Sequence, residues 1–220
     1  MNKRSLMPRR VHRPSGPPPT RPIPMPPKTN AAGTKLPRRA IVFVGPMAAG
    51  KTSIGKRVAK ALGIPFIDTD SRIVQRYGEI TKIFETRGEA EFRRIEAEVV
   101  AREVAEPGAR VVSLGGGALL NAQTREILKH HPVILLMTTE KAVMRTVNLS
   151  KRPLLRDDPG AWTRILEERR PLYEGAAKIT FRTDQHSKEG ITNLIVCWLQ
   201  RDGMLASAAD YRDERWGDYD

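Results

Sequence analysis

The segment "AIVFVGPMAAGKTSIGKRVAKALG", residues 40–63, joins a short apolar run to a helical pattern through a glycine- and lysine-containing loop. The apolar letters AIVFVG predict a buried strand. After the loop, Ile54, Val58 and Leu62 recur at helical spacing, and Gly63 predicts the end of that helix. This order of strand, loop and helix predicts an α/β protein that binds phosphate at the loop.

The loop itself, residues 45–52, matches the pattern G-x-x-x-x-G-K-[ST]. In such a loop the backbone amides and the helix amino terminus point at phosphate oxygens. Lys51 is predicted to reach the β- and γ-phosphates of ATP, and Thr52 to ligate Mg²⁺. A chance Gly-Lys pair at a helix start is the alternative, and the flanking strand and helix argue against it. The predicted ATP-binding residues of this segment are Gly45, Pro46, Met47, Ala48, Ala49, Gly50, Lys51, Thr52 and Ser53. The loop interior has no glycine, so a position that needs a positive φ would be strained.

Strand and helix patterns alternate after this segment. Four more apolar runs predict strands: PFIDTD, ARVVSLGGG, PVILLMTT and KITFRT. Helical patterns occupy SRIVQRYG, TKIFETRG, EAEFRRIEAEVVAREVAE, AQTREILKH, KAVMRTVN, AWTRILEERRPLYEGA and KEGITNLIVCWLQ. Five strands separated by helices predict a three-layer α/β/α fold with a five-stranded parallel sheet. Ligands bind beyond the carboxyl ends of such strands, where GPMAAGKT, DTD and GGG are all predicted to lie.

The net charge of +13 belongs mainly to one end of the chain. Residues 1–39 hold ten Lys or Arg and no acid, and ten of the seventeen prolines. We therefore predict a disordered basic tail at residues 1–37, a folded domain at residues 38–203 and a polar tail at residues 204–220. A transit peptide, or a tail that binds nucleic acid without sequence preference, remains an alternative for the first segment.

Several classes of protein are excluded or disfavoured by composition. The single cysteine, Cys197, excludes an intramolecular disulfide framework and a cysteine-based zinc cluster. The sequence contains no stretch of about 18 apolar residues, so it predicts no transmembrane helix. Residues 1–37 also lack the apolar core of a secretory signal. A cytoplasmic protein is expected.

Two carboxylates end the second predicted strand. Asp68 and Asp70 are two residues apart, so on an extended strand they would face the same side. One could lie near magnesium, and the other could accept a proton from a hydroxyl. Alternatively, Asp70 or Ser71 could cap the following helix, and the two roles can coexist.

Charged and glycine-rich motifs follow. Arg93 and Glu96 can pair at i, i+3 on one helix, and periodicity alone favours a surface pair over one that faces the cleft. Residues 115–117, all glycine, favour a close approach of backbone to ligand over a merely flexible turn. Arg152, in the polar loop LSKRPLLRDDPG, and the pair at residues 169–170 suit phosphate or carboxylate, or else are solvated charges.

Together these motifs resemble the shikimate kinase family from about residue 40 to residue 199. The similar stretches are GPMAAGKTSIGKRVAKALG, FIDTD, IFETRGEAEFRRIE, SLGGGA, KRPLL and RRPLYEGAA, in that order. The resemblance implies a nucleoside-monophosphate-kinase-like fold with a lid loop. It also implies transfer of the ATP γ-phosphate to the 3-hydroxyl of shikimate, in the pathway to chorismate and aromatic amino acids. Another small-molecule kinase of this fold, such as a gluconate kinase, and a catalytically silent ATP-binding module are the alternatives.

The resemblance also implies roles for individual residues. The implied shikimate contacts are Asp70, Arg93, Gly116, Gly117 and Arg169, with Glu96 holding Arg93 and with Phe84 and Phe92 walling the ring. The implied catalytic residues are Lys51, Asp70 as the candidate base, and Arg152 as a lid arginine that closes over the phosphates. Arg145 is implied near adenine, and Asp68 near the Mg²⁺ ligand Thr52. A monomer that needs neither nucleic acid nor membrane is implied. Ala48 and Glu189 depart from the family pattern, where many relatives carry glycine and proline.

Overall fold

A five-stranded parallel sheet forms the centre of the chain. The computed structural model describes residues 36–37, 39–146, 158, 160–201 and 205–206. Two short strands, β1 (Leu36–Pro37) and β7 (Leu205–Ala206), pair antiparallel. The sheet comprises β2 (Ile41–Val44), β3 (Phe66–Asp68), β4 (Val111–Ser113), β5 (Val133–Met137) and β6 (Ile179–Arg182) in the order β3-β4-β2-β5-β6. All four pairings in it are parallel, as predicted.

Helices connect these strands. Their bounds are α1 (Lys51–Leu62), α2 (Thr69–Tyr77), α3 (Ile80–Ala105), α4 (Ala122–Leu128), α5 (Glu140–Thr146), α6 (Ala161–Ala176) and α7 (Lys188–Arg201), with a 3₁₀ turn at Ala118–Leu120. Gly88 interrupts α3 with φ 78 and ψ 170, so this element is two helices that meet at a kink. The sequence predicted the same division, because the pattern TKIFETRG ends on this glycine.

The residues of β2 point alternately into two apolar layers. Ile41 and Phe43 pack with residues of α1 and α7 on one face of the sheet. Val42 and Val44 pack with residues of α3, α4 and α6 on the other face. This alternation follows from the period of two along a strand. The predicted three-layer α/β/α fold is therefore confirmed.

The carboxyl edge of the sheet differs from the prediction at the DTD motif. β3 ends at Asp68, and α2 begins at Thr69, so Asp68 and Asp70 do not alternate along one extended strand. Asp68 is the N-cap and accepts the Ser71 N–H at 3.2 Å, so the predicted cap at Asp70 or Ser71 is wrong. The buried Thr69 hydroxyl donates to the Ser113 carbonyl at 3.2 Å, which fixes the first turn of α2 against β4.

The pairing of β1 with β7 joins the two ends of the described chain. Leu36 lies opposite Ala206, and Pro37 lies opposite Leu205. These four residues belong to the segments predicted as tails, and most of both tails lies outside the described residues. The predicted tail boundaries stay predictions. Within the part of the chain that the structure describes, every helix is too short or too polar to cross a lipid bilayer.

Candidate active site

The loop between β2 and α1 closes around the side chain of Lys51. Its ammonium donates hydrogen bonds to the carbonyls of Gly45 at 2.7 Å and of Pro46 at 2.9 Å. Gly45 has φ 135, and a Cβ there would collide with the Leu136 carbonyl oxygen, so the first glycine of the motif is sterically required. The loop thus holds a cation beside the amino terminus of α1, which suits phosphate.

One loop residue adopts a strained backbone conformation. Ala48 has φ 62, and among the described residues it is the one non-glycine residue with a positive φ. The left-handed conformation costs an L-residue with a Cβ about 1–2 kcal/mol. The strain expected in a loop without interior glycine is therefore present at Ala48.

Two oxygen-bearing side chains meet beside the loop. The Thr52 hydroxyl donates to Oδ2 of Asp68 at 2.9 Å. Magnesium prefers oxygen ligands and usually binds one or two protein groups together with phosphates and water. This pair fits that chemistry. In the described ranges, no group of three or more His, Cys, Asp or Glu could hold a metal without such help.

Arg93 and Glu96 form an ion pair in which the carboxylate is buried and the guanidinium is partly exposed. Glu96 is only 2% exposed, and its Oε2 accepts a hydrogen bond from Nη1 of Arg93 at 2.7 Å. Arg93 also contacts Glu89 at 3.1 Å, so its guanidinium is held on two sides. The sequence-based interpretation of a surface pair is wrong, because this face of α3 packs against the glycine turn and not against solvent.

The three glycines leave room for these charged side chains. A Cβ on Gly115 would lie 2.6 Å from Oε1 of Glu96 and 2.7 Å from Oδ1 of Asp70. A Cβ on Gly117 would overlap the guanidinium of Arg93. Side chains of the site therefore approach the backbone of this turn closely, whereas the predicted close approach to a ligand stays a prediction.

Arg169 and Tyr173 reach the same turn from α6. The Tyr173 hydroxyl donates to the Gly116 carbonyl at 2.6 Å, and Nη1 of Arg169 donates to the same oxygen at 3.3 Å. Nε of Arg169 is buried and has no hydrogen-bond partner among the described residues. A buried, unsatisfied donor on a cation suits an anionic ligand. Arg170, by contrast, is exposed.

Sequence analysis missed two residues of this region. Tyr173 lies four residues after Arg169, so the helical period could have placed it on the same face. Trp162, in the first turn of α6, donates its indole N–H to the Met47 carbonyl at 3.1 Å. No sequence signal indicated that contact, because it joins residues 115 positions apart.

Burial makes the carboxyl groups of the site more basic. Burial raises the pKa of Asp70, and the nearby Asp68 raises it further, against the opposing charges of Lys51 and Arg93. Burial likewise raises the pKa of Glu96, although its hydrogen bond to Arg93 acts in the opposite direction. A carboxylate with a raised pKa is a better proton acceptor.

Of the remaining predicted residues, the aromatic pair lies beside Arg93, one arginine lies in α5 and the other lies outside the described chain. Phe84 and Phe92 contact each other with ring centroids 4.5 Å apart, and Phe84 is 36% exposed. Arg145 is exposed in the last turn of α5. Arg152 lies among residues 147–157, outside the described residues. The predicted roles of both arginines stay predictions.

Comparisons with known proteins agree with this architecture. The family model described as Shikimate kinase matches residues 47–200. The shikimate kinase of Rhodococcus jostii is 41% identical over 162 residues, which cover 72% of this chain and 96% of that protein. The shikimate kinase of Mesorhizobium japonicum is 44% identical over 163 residues, covering 71% and 79%.

Solved structures give the same result. The structure of shikimate kinase from Acinetobacter baumannii in complex with shikimate superimposes with a TM-score of 0.69 at 34% identity. It covers 77% of this chain, which spans 96% of that protein. The predicted resemblance is confirmed, and this chain belongs to the shikimate kinase family.

Proposed function

We propose that this chain transfers the γ-phosphate of ATP to the 3-hydroxyl of shikimate, giving shikimate 3-phosphate and ADP. The reaction would serve the route to chorismate and aromatic amino acids. Family membership supports the reaction. The observation that carries it in this chain is the convergence of Arg93, Arg169 and Asp70 on the glycine turn, beside a complete phosphate loop.

The carboxylate of shikimate would bind between two arginines. The guanidinium of Arg93 is oriented by Glu96, so little conformational freedom is lost when it binds an anion. Arg169 offers a buried Nε with no partner among the described residues. Two planar guanidinium groups can fix a carboxylate and hold the ring in one orientation, with Phe84 and Phe92 as an apolar wall.

Asp70 would receive the acceptor hydroxyl. Its pKa is raised mainly by burial, and it lies close enough to Gly115 that a side chain there would collide with it. The proton of the 3-hydroxyl would pass to a carboxylate oxygen of Asp70 as the O–P bond forms. Because phosphoryl transfer has a loose transition state, Asp70 would act chiefly by orienting the hydroxyl and would take the proton late.

The nucleotide would be held by the phosphate loop. Lys51 would turn from the carbonyls of Gly45 and Pro46 toward the β- and γ-phosphates. Thr52 would ligate Mg²⁺, and Asp68 would hold it through water. When bound, the ion offsets the charge of the phosphates. Arg152 would add a positive charge from the lid, whose closure would exclude water and limit ATP hydrolysis.

Coupled ADP release with purified full-length protein, with and without shikimate, tests the assignment. We expect turnover that depends on shikimate and on Mg²⁺, and little turnover with gluconate. Asp70→Asn should lower kcat roughly a hundredfold or more, as loss of a general base does, while ADP affinity measured by calorimetry stays within about twofold of wild type, since Asp70 is assigned to the acceptor and not to the nucleotide.

The possible results distinguish the proposed reaction from the role given to Asp70. Absence of shikimate-dependent turnover would refute the function, and gluconate-dependent turnover would favour a gluconate kinase. A fully active Asp70→Asn variant would refute only the role given to that side chain.

The assembly and location of the protein follow as further parts of this proposal. A monomer that acts in the cytoplasm on ATP and shikimate, without nucleic acid or membrane, is supported by the resemblance to the family. Light scattering after size exclusion should give a mass near 24.6 kDa. A dimer mass would contradict the monomer, and recovery of the protein with membranes on cell fractionation would contradict the location.

A further inference from the structure

Helix α6 contacts both the phosphate loop and the glycine turn. In its first turn, the contact with the phosphate loop is made by the indole of Trp162. Trp162 is 3% exposed, and its Nε1–H donates to the Met47 carbonyl inside the phosphate loop at 3.1 Å. Further along α6, Tyr173 and Arg169 donate to the carbonyl of Gly116. The two contacted loops are neighbours, because a Cβ on Gly116 would lie 3.8 Å from the Met47 nitrogen.

The contact at Met47 orients one peptide plane. No cis peptide bond occurs in the described chain, so the C=O of Met47 and the N–H of Ala48 point in opposite directions. Because the carbonyl is directed at Trp162 on α6, the Ala48 N–H is directed away from α6. In phosphate loops, backbone N–H groups of this kind bind the anion.

The same peptide precedes the strained residue. Ala48 holds φ 62, a conformation that an alanine leaves unless the surrounding structure fixes it. The loop hydrogen bond from Ala49 N–H to the Pro46 carbonyl, at 3.3 Å, is long. The hydrogen bond from the Trp162 indole is shorter, at 3.1 Å, and it acts on the carbonyl of this peptide itself.

We propose that Trp162 is a positioning residue for nucleotide binding, which acts by holding the Met47–Ala48 peptide so that its N–H faces the phosphates. The identity of the nucleotide rests on the proposed function. The positioning itself concerns only phosphate binding, so ADP alone can test it.

The first experiment compares two buried tryptophans. Trp162→Phe keeps an aromatic ring but removes the N–H donor. Trp198→Phe makes the same change in α7, in the apolar layer with Ile54 and Val58, on the face of the sheet opposite Trp162. We expect ADP to bind about fivefold more weakly to the first variant, the loss expected of one neutral hydrogen bond.

The same pair should differ in steady-state kinetics. The KM for ATP should rise about fivefold in Trp162→Phe while the KM for shikimate stays within about twofold, because the restraint acts on the phosphate loop. Trp198→Phe should leave ADP affinity and both KM values within about twofold of wild type. Equal effects of the two substitutions on ADP affinity would show that Trp162 acts only by packing and would overturn the proposal.

A second experiment links Trp162 to the strain at Ala48. Glycine adopts a positive φ without the steric penalty of alanine, so Ala48→Gly should make the loop less dependent on the indole. In that background, Trp162→Phe should weaken ADP binding less than twofold. An undiminished fivefold loss would refute the proposed mechanism, since the restraint would then not act on this peptide.

A third experiment keeps Trp162 in place and therefore remains informative if Trp162→Phe does not fold. It follows the indole N–H of Trp162 by NMR. The indole N–H signals of ¹⁵N-labelled protein can be assigned with Trp198→Phe and Trp216→Phe, which leave Trp162 by elimination. We expect ADP to shift the Trp162 signal, and the lack of a shift at saturating ADP would overturn the proposal. If wild type binds ADP with this shift but does not phosphorylate shikimate, the proposed function fails and the role of Trp162 stands.

Discussion

The glycine turn is constrained by the charged side chains that lie against its backbone. Gly115 and Gly117 lie where a Cβ would meet Asp70, Glu96 or Arg93. The glycines thereby let three charged groups converge on one turn, which side chains at these positions would prevent. The entropy that glycine loses on folding, about 0.5–1 kcal/mol each, is the expected cost of this arrangement.

Adjacent arginines on α3 provide a direct test of the substrate pocket. Arg93→Ala should raise the KM for shikimate roughly tenfold to a hundredfold, since hydrogen bonds to charged groups contribute about 1.5–3 kcal/mol. Arg94 lies next to it but is exposed and pairs with Glu91 and Glu98. Arg94→Ala should change the same KM less than about twofold. Similar KM values for the two variants would contradict the assignment of Arg93.

The buried Glu96 carboxyl should make the free energy of unfolding depend on pH. Its folded pKa is raised, so between the ordinary value of 4.5 and that raised value the folded state binds more protons than the unfolded state. The free energy of unfolding of wild type, relative to Glu96→Gln, should therefore fall as the pH rises from 4.5 and level off above the folded pKa.

Urea unfolding of both proteins across this pH range measures the difference. Glu98→Gln, on the same helix but with a half-exposed carboxylate, controls for loss of a charge. If the free energy of unfolding of wild type minus that of Glu96→Gln is constant or rises with pH, the Glu96 carboxyl is not buried as described.

At the scale of elements, the two helices α2 and α3 are joined by one buried carboxylate. Glu103 of α3 is 3% exposed and contacts Arg72 at 3.3 Å and Arg76 at 3.6 Å, both on α2. Arg110, just before β4, lies 3.8 Å away. The first turn of α2 carries Asp70, so this cluster helps to fix the helix that presents the candidate base.

Removal of this carboxylate should destabilise the domain more than removal of an exposed one. Glu103→Ala leaves three arginines without their shared partner, and we expect a loss of about 1–3 kcal/mol, below the full value for a buried pair because the arginines are partly exposed. Glu98→Ala, whose ion pairs are exposed, should cost about 1 kcal/mol or less. Urea denaturation measures both, and equal losses would contradict the structural role of the Glu103 cluster.

At the scale of the whole molecule, the candidate site lies at one edge of the sheet. The phosphate loop, Asp68 and the glycine turn all follow the carboxyl ends of parallel strands. β1 comes just before β2, so it lies near the opposite, amino edge, where it pairs with β7. The described end of the basic segment, Leu36–Pro37, therefore lies away from the edge that carries the candidate site.

Deletion of residues 1–35 should consequently leave kinase activity within about twofold of the full chain. The deleted protein retains Leu36 and Pro37, and with them the pairing to β7. If the basic segment binds nucleic acid, the full chain alone should show binding that weakens with salt. A large loss of shikimate-dependent turnover on deletion would show that the segment contributes to the domain.

The fold and the family were both predictable from local patterns in the sequence. The loop motif at residues 45–52, the alternation of strand and helix patterns and the stop at Gly88 are local signals, because hydrophobic period and turn chemistry depend on neighbours along the chain. They predicted the parallel sheet, the edge at which the site lies and the kink in α3.

The arrangement of the charges in the site depends on contacts between elements that are distant in the sequence. Glu96 is buried because one face of α3 packs against the glycine turn, and Asp68 caps α2 because Thr69 is held by β4. The contact of Trp162 with Met47 joins elements far apart in the chain. Hydrophobic period gives the position of a residue on its own helix or strand, but not which element will pack against it.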